Sequence, residues 1–99
     1  MAAANGARGE VEVVLGGERR RVCLTLGALA EIETGLGVAG LAAVAERMRA
    51  LSACDLLIVL AALLRGGGEG QVADRLSESM IDLREAAQAV ALGFAAAAA

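Results

Sequence analysis

The chain is predicted to be an α+β domain, an N-terminal β-hairpin packed on a small bundle of four to five helices. Three observations predict it. Apolar and charged residues alternate from Glu10 to Leu24, and after Thr25 the apolar spacing changes to three and four. Of the 99 residues, 58% are apolar and Phe94 is the one aromatic, so the core must be aliphatic. Alternation is the period of a strand with one face on a core, and the three-and-four spacing is one face of a helix. An alanine- and leucine-rich composition favours helices that pack closely.

The hairpin comes first. Glu10-Val11-Glu12-Val13-Val14-Leu15 and Glu18-Arg19-Arg20-Arg21-Val22-Cys23-Leu24 flank Gly16-Gly17, a dipeptide able to take positive φ at both turn positions. A two-residue loop pairs Leu15 with Glu18, Val13 with Arg20, Glu12 with Arg21 and Val11 with Val22. The inner face is then Val11, Val13, Leu15, Val22 and Leu24, and the outer face carries Glu10, Glu12, Arg19 and Arg21 as cross-strand partners. Because the glutamates neutralise the arginine triplet, it reads as a solvated face rather than a phosphate site. An isolated hairpin is marginal, so its apolar face must lie on helices.

The helices follow. Thr25 is the N-cap of a first helix of about three turns, with Leu26, Leu29, Ile32 and Leu36 on one stripe and Gly35 and Gly37 supplying the stop. Val38 to Ala50 is a second amphipathic helix, with Leu41, Val44, Ala45 and Met48 inward. Ser52 and Asp55 form a capping box, the carboxylate reaching back to the cap, before a third helix that runs to about Arg65. That helix is apolar nearly all round and is the expected centre of the core. Gly66-Gly67-Gly68-Glu69-Gly70 reads as its C-cap and linker, since a P-loop needs a Lys and a following Ser or Thr. Val72, Leu76 and Met80 give a short fourth helix over residues 71–79. Asp82 and Glu85 form another capping box and open a fifth helix, whose stripe is Leu83, Ala87, Val90 and Phe94. Residues 1–8 are expected to be a disordered tail, 9–94 a single domain, and 95–99 an alanine-rich extension.

Composition restricts the chemistry. There is no His, Tyr or Trp, all nine basic residues are Arg, and the net charge is −3. Imidazole metal ligands, Schiff-base amines and the usual general bases are absent, so no enzyme, cofactor or metal site is expected. An acidic chain is a poor nucleic-acid binder. Cys23 and Cys54 lack metal-ligand spacing and read as two small buried thiols in a reducing cytosol. The apolar run Leu56 to Leu64 is about half of what a membrane span needs, and no basic-then-apolar leader opens the chain. A soluble cytoplasmic protein is expected.

The order Gly9-Glu10-Val11, the hairpin running into Cys23-Leu24-Thr25-Leu26-Gly27-Ala28-Leu29-Ala30-Glu31-Ile32-Glu33, then Leu51-Ser52 with Asp55-Leu56, then Leu64-Arg65-Gly66-Gly67-Gly68 resembles the gene transfer agent family of small tail proteins. These are also described as phage tail assembly chaperones or tail-tube-associated proteins. The resemblance implies a non-enzymatic role in building a phage-like tail. Chaperones of this kind bind the helical tape measure protein, keep it soluble and help recruit tail tube protein around it, with no nucleic acid or membrane involved. Self-association is left open. The alternative is a structural tail component, associated with the tail tube or tail terminus, that stays in the particle. For a helical tape measure partner, the expected contact surface is the stripe Leu83, Ala87, Val90 and Phe94, with Phe94 as anchor.

Overall fold

The computed structural model describes residues 9–50 and 52–98. The expected disordered tail, residues 1–8, lies outside them. In chain order the elements are β1 (Glu10–Leu15), β2 (Glu18–Cys23), α1 (Leu26–Leu36), α2 (Leu41–Met48), α3 (Ala53–Gly66), α4 (Gly70–Asp74), a 3₁₀ turn (Leu76–Glu78) and α5 (Leu83–Ala98). The fold is α+β, as the hydrophobic periods require.

The hairpin has the register that a two-residue loop dictates: Leu15 opposite Glu18, Val13 opposite Arg20, Glu12 opposite Arg21 and Val11 opposite Val22. Gly16 and Gly17 take φ of 62° and 85°, which only glycine adopts without strain. Val13, Leu15 and Val22 are buried beneath the sheet. One pairing differs from expectation. Glu12 meets Arg19 diagonally, at 4.0 Å, rather than Arg21 directly opposite. The diagonal neighbour is within reach of long side chains, and both residues are exposed enough to choose it.

α3 is the central helix, and α1, α4, α5 and β2 all pack against it. Val59, Leu60, Ala62, Leu63 and Leu64 are essentially inaccessible, each large side chain contributing about 1.5–3 kcal/mol by burial. Its N-cap is Ser52, whose Oγ accepts from the Asp55 N–H at 3.1 Å. The reciprocal half of the expected box is absent: the Asp55 carboxylate instead receives Arg47. At the other end the glycines do more than stop the helix. A Cβ on Gly66 would collide with the Cys23 carbonyl oxygen, and one on Gly67 with that of Arg21. The end of α3 therefore lies on the backbone of β2, as closely as missing side chains permit.

Several expected boundaries and faces are corrected. α1 is capped by Thr25, whose Oγ1 accepts from Ala28 N–H at 3.0 Å, and closed by left-handed Gly37. Its buried face, however, is Ala28, Ile32 and Leu36, and Leu26 is 85% exposed. Gly35 stands inside the helix, where any Cβ would run into Ile58 of α3. α2 is shorter than Val38 to Ala50 and begins at Leu41, after Gly40 at φ 90°. Only Val44 of it is fully buried, with Leu41 and Ala45 exposed. The fourth segment is two pieces, α4 and the 3₁₀ turn, and Met80 beyond it is 95% exposed. Short glycine-flanked helices form from packing rather than propensity, and here Ala73 and Leu76 are the residues that reach the core.

α5 runs through the terminal alanines to Ala98, and the Gly9 backbone lies against Ala97. Its buried face is Ala86, Ala89, Val90 and Gly93. A stripe of small residues lets the helix sit close to α3 and the hairpin. A Cβ on Gly93 would stand 3.0 Å from Leu63 Cδ1 and 3.5 Å from Val22 Cγ2. Asp82 Oδ1 caps α5, accepting from the Glu85 N–H at 2.7 Å. The Glu85 carboxylate is turned outward instead and accepts from the Gly16 N–H at 3.0 Å, which fastens the hairpin turn to the helix.

Candidate interaction surface

Two apolar grooves join on one side of the helical layer. The first, of about 690 Å³, runs between α1 and α3 and is closed by α4 and the 3₁₀ turn. Its floor is made of small or aliphatic residues: Ala30, Gly35, Ile58, Ala61 and Ala73. The second, of about 230 Å³, lies where the start of α5 meets α3, lined by Ala53, Leu56, Leu60, Ile81, Leu83 and Ala86 among others. Leu57 and Leu76 line both, so the two grooves adjoin and form one trough-like face. Leu57 is 40% exposed, and Leu83 at the far end is 69% exposed. Contiguous exposed aliphatics in a concave setting are what a protein-binding groove presents.

Charge stands at both ends of the trough, Asp82 beside Leu83 at one and a cluster around Arg65 at the other. Arg65 pairs with Glu31 of α1 and, at 3.1 Å, with Asp74 of α4. The hydrogen bond to Asp74, together with the charges of Glu31 and Asp74, raises the Arg65 pKa above its ordinary value, against the opposing effect of burial. This group is a fixed cation that ties α1, α3 and α4 together. It serves structure, since both of its partners belong to this chain.

The four residues expected on the partner surface are divided by the fold. Leu83 and Ala87 are exposed and adjacent on α5, beside Arg84. Phe94 is half-buried against the core, and Val90 is in the core at 1% exposure. The stripe is thus not one surface. Its period was right for a helix, but with alanine on every side the bulk of a residue does not reveal which face is turned inward. Leu57, Leu76 and Ile81 are the groove residues the sequence did not single out. The available signal was Gly35 and Ala61, small residues that allow α1 and α3 to approach and leave the trough between them.

The thiols differ from expectation too. Cys23 is buried, but Cys54, in the first turn of α3, is exposed, and neither forms a disulfide. Among the described residues no group of three or more His, Cys, Asp or Glu is placed to hold a metal. No single described helix is long and apolar enough to cross a membrane.

Fold and surface together define a small α+β domain with an aliphatic trough, its buried polar side chains all satisfied among the described residues. The model of the family described as phage tail tube protein, GTA-gp10, matches residues 8–99, and the chain belongs to that family. No curated protein and no solved structure matches it.

Proposed function

We propose that this chain is a phage-like, gene transfer agent tail assembly chaperone, a non-enzymatic cytoplasmic protein that binds the tape measure protein and assists assembly of tail tube protein around it. The observation that carries the reading is the pair of adjoining apolar grooves over α1, α3 and the start of α5 in a member of a phage tail family. A groove floored by Ala30, Gly35 and Ala61 admits the apolar face of a helix at close range, and Leu57 and Leu83 offer side chains to its ridges. Leu83 and Ala87 extend the contact along α5, while Phe94 supports it from within. A tube wall, by contrast, is built from strands that close a ring, and the described residues bring a single hairpin.

A second reading, a structural tail component retained in the particle, is favoured by the family's own description as a tail tube protein. Co-expression separates the chaperone function from simple folding. Leu57→Asp changes a partly exposed groove residue and is expected to leave the circular dichroism spectrum intact, while the tape measure protein co-expressed with it becomes insoluble. A tape measure that stays soluble with the folded variant places its binding elsewhere.

A further inference from the structure

The two edges of the hairpin are not equivalent, and the difference points to a partner. In a two-residue hairpin the pair flanking the turn, Leu15 and Glu18, exchanges both backbone hydrogen bonds, so Val13 and Val11 also bond inward. The backbone groups of Glu12 and Val14 then face away from β2. The opposite strand agrees: Arg21, which stands across from Glu12, donates its N–H outward to Glu69 Oε2 at 3.1 Å. That outer edge of β2 is closed, by Glu69 and by the end of α3 lying on the Arg21 and Cys23 carbonyls. Among the described residues the edge of β1 is open, and no acceptor meets the amides of Glu12 or Val14. Beside them lies a groove of about 470 Å³, with β1 and Arg19 as one wall and Glu85, Gln88, Ala89 and Leu92 of α5 as the other. Val14, at 56% exposure, stands at its lip.

We infer that this edge is occupied by β1 of a second copy of the chain, antiparallel about a twofold axis at Val13, giving a four-stranded sheet. Three features select that occupant. With one edge closed, head-to-tail addition has nowhere to dock, and only an isologous pairing, which stops at two copies, remains. The twofold at Val13 sets Glu12 opposite Val14 of the second copy and Val14 opposite its Glu12, so the Glu12 and Val14 amides of both copies find carbonyl acceptors. Charge agrees as well. Across the sheet each row reads Arg21, Glu12, then Val14 and Arg19 of the second copy, so the two glutamates, which meet diagonally across the seam, are flanked by four arginines, and each keeps its own Arg19 at 4.0 Å. Two strands become four, and an otherwise marginal sheet gains a partner.

Sedimentation of the full chain over a range of concentrations, with amide exchange followed by NMR, tests this directly. The expected result is a reversible dimer of twice the 9.9 kDa chain, with the Glu12 and Val14 amides protected only where the dimer is populated. Val14→Pro removes an outward amide without touching the β1–β2 ladder, so it should return the folded chain to a monomer. A chain that stays monomeric at millimolar concentration overturns the proposal, as does a dimer in which those amides exchange freely. Protection already present in the monomer assigns the edge to the chain's own N-terminal segment, and protection seen only with an added tail protein assigns it to that protein. Either outcome also overturns it.

Discussion

The guanidinium of Arg47 forks onto the Asp55 carboxylate, Nε to Oδ2 at 2.8 Å and Nη2 to Oδ1 at 3.2 Å, while Nη1 donates to the Leu36 carbonyl at 2.9 Å. One side chain of α2 thereby joins the C-terminus of α1 to the N-terminus of α3. Because Val44 is the only fully buried residue of α2, this fork rather than apolar area holds the helix in place. Arg47→Ala leaves a buried carboxylate without its partner and should cost about 1–3 kcal/mol in urea or thermal unfolding. Arg47→Lys, which cannot fork, should recover only part of the loss. An alanine variant as stable as the parent would show that α2 is held by something else.

Gly66 and Gly67 should behave opposite to their helix propensities. In an ordinary helix, Gly→Ala is stabilising by roughly 0.5–1 kcal/mol. Here the added methyl meets the Cys23 or Arg21 carbonyl, which are backbone and cannot swing away, so Gly66→Ala and Gly67→Ala should each destabilise by about 1–3 kcal/mol or more. Gly68→Ala is the control. It has open space but φ of 85°, so its cost is the left-handed strain alone, about 1–2 kcal/mol. Thermal melts of the three variants order them, and a stabilised Gly66→Ala would refute the close approach of α3 to β2.

The hairpin turn carries two separable contributions. Replacing Gly16 and Gly17 together with valine imposes positive φ on β-branched residues and should cost at least about 1–3 kcal/mol. Glu85→Ala keeps the turn but frees the Gly16 amide, which is exposed, so a loss of about 0.5–1.5 kcal/mol is expected. Amide exchange at Gly16 reports the second effect directly: it should accelerate in Glu85→Ala and remain slow in the parent.

Thiol chemistry distinguishes the cysteines. In the native protein a thiol reagent should modify Cys54 rapidly and leave Cys23 until the chain opens, so that the slow phase follows unfolding. Two fast phases would mean that β2 is not covered by the end of α3.

The hairpin could be read to the residue because a two-glycine loop admits one register, and a shift by one would have turned its valines outward. The caps of α1 and α3 were equally legible, since Thr25 and Ser52 act through backbone amides a few residues away. What escaped was governed by close approach. The sequence marks Gly66-Gly67 as a stop, but only the position of β2 shows that they are also contact surface. On α5 the alternatives Ala86, Ala89 and Gly93 against Leu83 and Ala87 have almost the same hydrophobic period. The hairpin and Leu63 chose the small face, which left Leu83 for the trough and drew Val90 into the core. Asp55 could not be read as the partner of Arg47, because the pair depends on how α2 returns to α3.

The central claim, that this chain assists tail assembly and leaves, is tested most directly by quantitative mass spectrometry of purified particles. Abundant tail tube protein and tape measure protein, with this chain absent, is the expected result. Many copies of the chain in each particle would contradict it and establish the protein as a component of the tail.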